Sequence, residues 1–477
     1  MTGVERASRR QLVLAYLMAV VAFTYFAGSW GDGNTASRLS LVLALVEEHR
    51  FTIDTSQTNP RWQQFDTQDR SYYQGHYYSD KAIGSSLVGA VAWTPVHSLL
   101  RLARIPIEPH IFTFFATVLG VSLVCALVAP LVFAFVTSLA GARRAAWVMG
   151  AIVFGTPIFK YSTGYYGHVQ AGLLYFTAFT LWFDARRRRH LSASRAFASG
   201  LLLGFMVVTE YPTAVLALVL GGYMLVALRD LGLASAWRPY AATAAGFVLA
   251  LTPLVYYNVH VFGDPWTTGY QHHATAEFAA AHAHGLSGIG PPDPIVLFAS
   301  TFHPLMGIFW QSPLLLLAFV GWLAAEGPEI RAASWFSFAA VTTYLVLLSG
   351  YYDWAGGTAY TPRHLIPLYP LFAIPLACLP RRWRHVAVAL GAVSILQHVI
   401  AVAASWDSLD ALLDMAIEDG HPTTYALSTI WSVCWVNLRA GLFLKNPAML
   451  VWPTGGFVTL APLLVAEVML LVALLKD

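Results

Sequence analysis

The sequence predicts an all-α membrane protein that crosses the bilayer about twelve times, within a range of eleven to thirteen. Of its 477 residues, 57% are hydrophobic and 11% are charged, whereas soluble domains carry about 25% charged residues. Many separate apolar runs reach the roughly 20 residues that a spanning helix needs. Lysine and arginine collect in the short loops between these runs, as in polytopic membrane proteins. The net charge of +3 gives no reason to expect a nucleic-acid partner.

The predicted spans are apolar stretches that end at polar, basic or proline-containing segments. They cover residues 11–28, 111–138, 145–159, 168–184, 195–209, 212–228, 240–258, 304–324, 334–350, 364–379, 386–404 and 455–475. The first span follows Arg6, Arg9 and Arg10, a pattern shared with signal peptides. Because the apolar run is long and no small-residue cleavage site is evident, we predict that it is retained as a span.

The basic residues of the short loops predict the orientation, because such loops stay in the cytoplasm. Arg9 and Arg10 place the N-terminus there. The loop cations that then fall on the same side are Arg143, Arg144, Arg186 to Arg189, Arg229, Arg238, Arg331, Arg381, Arg382, Arg384 and Lys476. The outer segments become residues 29–110, 160–167, 210–211, 259–303, 351–363 and 405–454. We therefore expect a multi-pass membrane protein whose functional face is periplasmic or extracellular.

Residues 84–100 are apolar enough to form a further span. Counting them as a span would move the loops of Arg143 and Arg186 to the outside, against the distribution of positive charge. We therefore predict that 82–106 is a re-entrant or interfacial segment on the outer side, with Pro95 and Pro106 in irregular backbone. The alternative is that residues 84–100 span the membrane and that a change elsewhere in the predicted spans keeps the later basic loops in the cytoplasm.

The first outer loop, 29–110, opens with Gly31-Asp32-Gly33-Asn34, where a span leaves the membrane. Asp32 is either a helix N-cap or loop charge, or a functional acid, and the glycines allow a tight turn. The next segment, residues 35–50, is apolar on one side and polar on the other, and it ends in a polar tail. The apolar side carries Leu39, Val42, Leu43 and Val46, and the polar residues are Arg38, Glu47, Glu48 and His49. This pattern predicts an amphipathic interfacial helix.

The same loop continues through an aromatic stretch that leads to Asp80-Lys81. Aromatic residues are expected at a membrane surface, and they are also stacking faces for sugar rings. A lysine at that surface is well placed to hold a lipid phosphate. His76, Tyr78, Asp80 and Lys81 are therefore candidate substrate-binding residues, and a simple interfacial anchor is the alternative for Lys81.

Further ionisable residues lie at the outer ends of the predicted spans, which indicates a polar site against a bilayer that disfavours charge. The candidate substrate-binding residues among them are Lys160, His168, Glu210, His303, Arg363 and His364, with Asp353 nearby. Two ionisable groups lie deeper, His398 and Glu467, and we expect them to pair with each other.

The sequence predicts no specific metal site. Phosphate-binding glycine loops, HExxH and CxxC are absent, and His272, His273, His282 and His284 have a spacing that matches no metal centre. A polar outer loop is the preferred interpretation of these histidines. The three cysteines, Cys125, Cys378 and Cys434, are odd in number and predict buried packing rather than disulfides.

A spanning helix, an outer loop with an early aspartate, an interfacial helix and an Asp-Lys pair before an apolar segment together resemble the GT-C glycosyltransferases. Ser79-Asp80-Lys81-Ala82-Ile83-Gly84 looks like their Asp-Lys-Pro-Pro motif, with Ala82 and Ile83 in place of the prolines. Three later stretches resemble the bacterial branch that includes protein O-mannosyltransferases and aminoarabinose transferases. They are Phe262-Gly263-Asp264-Pro265, His303-Pro304-Leu305-Met306-Gly307, and Trp354-Ala355-Gly356-Gly357 leading to Pro362-Arg363-His364-Leu365.

The resemblance covers residues 1–380 and implies a GT-C-type catalytic bundle there, followed by a C-terminal transmembrane region over 381–477 with the outer loop 405–454. It implies that Asp32 is the catalytic carboxylate and that Lys81 and Arg363 bind the donor phosphate. Many relatives carry a glutamate at the start of the fourth span, where this chain has His168. That departure leaves open whether there is a second acid and whether a divalent metal ion is bound.

The activity implied by the resemblance is transfer of a sugar from a polyprenyl-phosphate donor to a glycan, lipid or protein acceptor. The reaction would take place at the outer face of the bacterial inner membrane, where membrane lipids are further partners. The residues suit this chemistry, because a carboxylate can take the acceptor proton and cations stabilise a departing phosphate. The alternatives are a transporter or flippase of lipid-linked sugars and a non-catalytic envelope protein. Charge concentrated at the outer ends of spans, rather than along them, favours the transferase.

Overall fold

The computed structural model describes residues 6–28, 32–228, 233–357, 359–406 and 427–476. Within these ranges the chain is mainly helical, and its only sheet is a two-stranded hairpin in the first outer loop. Five of the described helices are long and apolar enough to cross a membrane, and three shorter apolar helices accompany them. The predicted all-α polytopic membrane architecture is confirmed. Gly31 and residues 407–426 of the predicted outer loops, and Arg229 of a predicted cytoplasmic loop, lie outside the described residues.

The N-terminal half begins with α1 (Arg9–Tyr25), where Ser8 and Gln11 form a capping box. The helices that follow are α2 (Gly33–Leu43), α3 (Asp54–Thr58), α4 (Gly84–Leu102), α5 (Pro109–Ala140), α6 (Ala142–Phe154), α7 (Ile158–Tyr161), α8 (His168–Arg188), α9 (Ala193–Thr209), α10 (Ala214–Leu228) and α11 (Leu233–Phe262). Strands β1 (Arg70–Tyr73) and β2 (His76–Ser79) pair antiparallel between α3 and α4. Gly141 reverses the chain between α5 and α6 with a φ of 84°, a conformation that glycine adopts readily.

The C-terminal half contains α12 (Ala276–Ala283), α13 (Pro294–Thr301), α14 (Ile308–Gln311), α15 (Ala318–Leu323), α16 (Pro328–Ser349), α17 (Ala373–Ala377), α18 (Arg384–Ala403), α19 (Trp435–Arg439) and α20 (Ala461–Leu475). Two predicted spans, 304–324 and 364–379, are interrupted by 3₁₀ segments, Pro313–Leu317 and Arg363–Phe372. The prolines in these segments lack the amide donor that a regular α-helix needs.

Helix α8 lies at the centre of the bundle, buried along most of its length and packed against α9, α10 and α16. Helices α9 and α11 pack through small residues, as membrane helices often do. A Cβ on Gly200 would lie 2.0 Å from the Thr243 carbonyl oxygen, and one on Gly246 would lie 2.2 Å from the Phe197 carbonyl oxygen. This close contact positions the end of α9, which Glu210 follows directly.

Two segments of the first outer loop differ in environment from the prediction. Helix α2 is buried from Asn34 to Leu43, so Arg38 points into the protein rather than towards water. Pro106 lies in irregular backbone as predicted, but Pro95 does not, because helix α4 runs unbroken through it. Helix α4 lies along the first part of α5, because Gly89 and Gly120 allow the two backbones to approach closely.

The predicted pairing of His398 with Glu467 is wrong. The His398 ring bonds to the Ser312 hydroxyl at 2.9 Å and the Tyr360 hydroxyl at 3.1 Å. The Glu467 carboxyl has no hydrogen-bond partner and lines an apolar groove. Both residues lie deep within their predicted spans, but that depth does not show which helices are neighbours in the bundle. The cysteines are free thiols, with Cys125 and Cys434 buried and Cys378 partly buried.

Candidate active site

Asp32 caps α2 and contacts two groups from distant parts of the chain. Its Oδ1 accepts a hydrogen bond from the Thr35 amide at 2.8 Å, as an N-cap residue does. Its Oδ2 accepts one from the Tyr166 hydroxyl at 2.5 Å and lies 3.5 Å from Nη1 of Arg363. Capping therefore uses one carboxylate oxygen and leaves the other to face a hydroxyl and a cation.

Lys81 lies between two carboxylates. Its Nζ is 2.9 Å from Oδ2 of Asp69 and 2.8 Å from Oδ2 of Asp80. Burial lowers the pKa of a lysine, but the two carboxylates outweigh burial and raise the pKa of Lys81 above its ordinary value. At Asp69, burial acts to raise the pKa, but the Lys81 ammonium outweighs it and lowers the pKa of that carboxyl. Lys81 thus stays charged, and one of its three donors is left for a further acceptor.

Gly33 lies between Asp32 and the side chains that surround Lys81. A Cβ on Gly33 would lie 2.7 Å from Oγ1 of Thr67 and 3.2 Å from Cγ of Asp69. The Thr67 hydroxyl donates to the Gly33 carbonyl at 3.2 Å and accepts from the Asp69 amide at 3.0 Å. The residue after Asp32 is therefore in direct contact with the group that holds Lys81, and only glycine fits there without displacing it.

A buried ion pair on α2 connects to the ends of α8 and α9. Arg38 donates from Nη2 to Oε1 of Glu210 at 2.9 Å, with 1% of the arginine side chain exposed. The same Oε1 lies 3.2 Å from Nδ1 of His168. Glu210 thus supplies a carboxylate directly beside His168.

Arg363 and His364 come from the segment that follows α16. Burial acts to lower the pKa of Arg363, but Asp32 and Asp353 outweigh it and raise that pKa. Nε2 of His364 lies 3.9 Å from Oδ2 of Asp353, and its ring centroid is 5.5 Å from that of His168. The structure thus brings segments from five parts of the chain to one polar cluster, which contains the candidates Asp32, Asp80, Lys81, His168, Glu210, Arg363 and His364.

Asp69, Asp80 and His273 could together hold a divalent cation. Their donor atoms lie within 4.8 Å of one another, and carboxylate with imidazole is a donor set used by divalent metals. The Lys81 ammonium lies between the two carboxylates, so an ion bound there would have to displace it or share them with it. His273 belongs to the histidine-rich stretch, for which the spacing alone predicted no metal site.

His76 and Tyr78 lie on the hairpin, apart from the cluster. Nδ1 of His76 is 2.8 Å from Oδ2 of Asp54, and the histidine side chain is 56% exposed. Tyr78 is buried and its ring centroid lies 6.0 Å from that of Phe262. Their described contacts fit a role in holding the hairpin to the body of the protein.

Lys160 and His303 also lie outside the cluster. Nζ of Lys160 is 4.6 Å from the Trp406 ring centroid, and burial lowers the pKa of Lys160 to about 7. Nδ1 of His303 accepts a hydrogen bond from the Leu305 amide at 3.2 Å, which stabilises the turn before α14.

Four cluster members were not among the sequence-based candidates: Arg38, Asp69, Tyr166 and His273. Arg38 was assigned to the polar face of a helix, and Tyr166 lies in an aromatic run of the kind expected at any membrane surface. Asp69 is one of several acids in a polar stretch. One sequence feature could have revealed part of this cluster. Arg38 is the one charged residue between Gly33 and Val46, and a buried arginine requires an acid partner.

A search with protein-family models finds no match to the chain, and neither does a search of the curated proteins. Among solved structures, the chain is similar to ArnT from Cupriavidus metallidurans bound to undecaprenyl phosphate, with 15% identity and a TM-score of 0.48 over 97% of this chain and 76% of ArnT. It is also similar to the oligosaccharyltransferase of Archaeoglobus fulgidus in the apo form, with 12% identity and a TM-score of 0.45 over 88% of this chain and 55% of the other.

Proposed function

We propose that the protein is a glycosyltransferase that moves a sugar from a polyprenyl-phosphate donor to a hydroxyl group of a glycan, lipid or protein at the outer face of the bacterial inner membrane. The observation that carries the proposal is the environment of the Asp32 carboxylate. It lies 3.5 Å from Arg363 and is joined through Gly33 to the Asp69–Lys81 pair. A base and two cations in one cluster are what displacement of a lipid phosphate by a hydroxyl group requires.

Asp32 acts as the general base in this proposal. A carboxylate offers about four lone-pair directions, and the bonds from Thr35 and Tyr166 use two of them. A remaining direction can accept the proton of the acceptor hydroxyl. The acceptor oxygen attacks the anomeric carbon, the bond from that carbon to the phosphate oxygen breaks, and its electron pair leaves with the polyprenyl phosphate. A single displacement of this kind inverts the anomeric configuration.

Lys81 and Arg363 bind the donor phosphate and stabilise the charge that develops as it leaves. Asp80 positions Lys81 through the 2.8 Å ion pair, and Glu210 holds Arg38 and His168. A divalent cation at Asp69, Asp80 and His273 would supply further positive charge at the same place. The hairpin residues His76 and Tyr78, together with Lys160 and His303, need not contact substrate in this arrangement.

The test is the Asp32→Asn variant, assayed for release of polyprenyl phosphate from a panel of lipid-linked sugars by purified protein. Asparagine is as good an N-cap as aspartate, so the melting temperature and donor binding should stay near those of the parent. Loss of a general base should lower the rate about 10²- to 10⁴-fold. Asp66→Asn, which changes an exposed acid of the same loop, is the matched control and should keep its activity.

Near-parental turnover by Asp32→Asn would remove Asp32 as the base. A parent protein that releases no polyprenyl phosphate from any donor, but moves lipid-linked sugars across proteoliposomes, would replace the transferase with a flippase.

A further inference from the structure

A strongly basic cavity lies at the end of α6 that is remote from the Asp32 cluster. It has a volume of about 600 Å³ and is lined by Arg143, Arg144, Arg381, Arg384 and His385, and none of its described lining residues is acidic. Helix α6 ends at Phe154, so its axis separates Arg143 from the segment of Tyr161 and Tyr166 by roughly 16 Å at 1.5 Å per residue. This cavity is therefore distinct from the proposed phosphate site at Lys81 and Arg363.

An apolar groove continues from the basic cavity. It has a volume of about 490 Å³, lies between α18 and α20, and has α6 as its floor. Arg143, Trp147 and Val388 line both spaces, so the two are continuous. The floor is open at Gly150, where an added Cβ would meet no atom within 4 Å.

The arginines of the cavity are not neutralised by neighbouring acids. Arg143 and Arg384 are exposed and take part in none of the ion pairs found among the described residues, and Arg144 donates to the Ala377 carbonyl at 2.8 Å. The basic loop after α8 differs in this respect, because Arg188 and Arg195 both pair with Asp184. Unpaired cations between helices at a membrane surface attract anionic lipid head groups.

We propose that this composite space binds one anionic phospholipid from the bilayer. The phosphodiester lies among Arg143, Arg381 and Arg384, and an acyl chain follows the groove between α18 and α20. Trp147, at the junction of the two spaces, suits the boundary between head group and chain. By the distribution of basic loops, this lipid belongs to the inner leaflet, on the other side of the bilayer from the Asp32 cluster.

Charge and shape both favour a lipid over a soluble anion. A free phosphate would use the arginines but would make no contact with the adjoining apolar groove, whereas a lipid satisfies both parts with one molecule.

The test is native mass spectrometry of the purified full chain, titrated with phosphatidylglycerol or with phosphatidylcholine of the same acyl chains. One phosphatidylglycerol should bind, at least about tenfold more tightly than phosphatidylcholine. Each arginine near a membrane surface strengthens binding of an anionic lipid about fivefold. The double variant Arg143→Gln/Arg384→Gln should therefore weaken phosphatidylglycerol binding about thirtyfold. Arg187→Gln/Arg189→Gln, which removes the same charge from the exposed loop after α8, should change binding less than twofold.

The groove is tested separately with Gly150→Leu, since Gly150 lines the groove and an added Cβ there would meet no atom within 4 Å. This variant should keep the parental melting temperature and lose binding of both phospholipids. Gly222→Leu, at a second helical glycine whose added Cβ would meet no atom, should bind as the parent does. Equal binding of the two lipids, an equal effect of the two arginine double variants, or competition by glycerophosphoglycerol as strong as that of the intact lipid would each overturn the proposal.

Discussion

At the residue scale, Lys81 shows how the surroundings of a side chain set its charge. Burial alone would lower the pKa of Lys81, and the carboxylates of Asp69 and Asp80, both within 3 Å, reverse that effect. The folded-state pKa thus exceeds the ordinary lysine value of about 10.4. The stabilisation that this pairing contributes is complete below the unfolded pKa and is lost only as the pH rises through the folded pKa.

We therefore expect the affinity for polyprenyl phosphate to lose no contribution from Lys81 between about pH 8 and pH 10. In the double variant Asp69→Asn/Asp80→Asn, burial remains and the two opposing charges are gone, so the alkaline decline in affinity should begin at a lower pH. Binding of the lipid phosphate to purified protein, measured across this pH range, checks the expectation. Asp66→Asn should keep the parental profile, and a double variant with an unshifted profile would contradict the assignment.

At the element scale, α2 and α9 hold the candidate site together. Asp32 caps α2, and Arg38 one turn and a half later reaches Glu210 at the end of α9. The position of α9 depends in turn on its contact with α11, where Gly200 lies against the backbone around Thr243. A change in that packing therefore propagates towards Glu210.

Gly200→Val should destabilise the protein by about 1–3 kcal/mol or more, because overpacking forces the backbones of α9 and α11 apart. Gly221→Val is the matched control, since a Cβ at that helical glycine meets no atom within 4 Å. The measurement is the melting temperature of each purified variant in the same detergent. If both valine variants melt at the parental temperature, the close approach of α9 and α11 is not needed for stability.

The sequence carried enough information for part of this arrangement. Asp32, Lys81 and Arg363 stood out as candidates because a bilayer penalises charge. An ionisable residue beside a span therefore has few explanations other than a functional one. Arg38 was wrongly assigned to a water-facing side of its helix. An amphipathic pattern shows that the two sides of a helix have different surroundings, but it does not show whether the polar side contacts water or a buried carboxylate. Glu467 was misjudged for a related reason, since its partners depend on helix neighbours that no local pattern encodes.

At the scale of the whole molecule, all strongly basic short loops are expected on one side of the membrane and the polar cluster on the other. Helix α8 connects the two sides, beginning at His168 in the cluster and ending at the arginines up to Arg188. With the arginine end in the cytoplasm, as positive charge in short loops predicts, the proposed reaction would meet its donor sugar at the outer face.

Cysteine labelling in intact cells should test the topology. Gln74→Cys, at the exposed turn of the hairpin, should react with a membrane-impermeant maleimide, and Arg187→Cys should react only after permeabilisation. The native thiols Cys125 and Cys434 are buried and Cys378 is partly buried, so the parent protein, labelled in parallel, sets the background. Labelling of Arg187→Cys but not Gln74→Cys in intact cells would reverse the orientation.

The ion pairs of the cluster have a consequence for turnover. Five carboxylates, those of Asp32, Asp69, Asp80, Glu210 and Asp353, face three permanent cations, Arg38, Lys81 and Arg363. In the proposed reaction the donor is a phosphodiester, whereas the product is a phosphate monoester that carries more negative charge. The surrounding carboxylates make the cluster hold this product less tightly than its cations alone would, so product inhibition should be weak and release of the spent lipid fast.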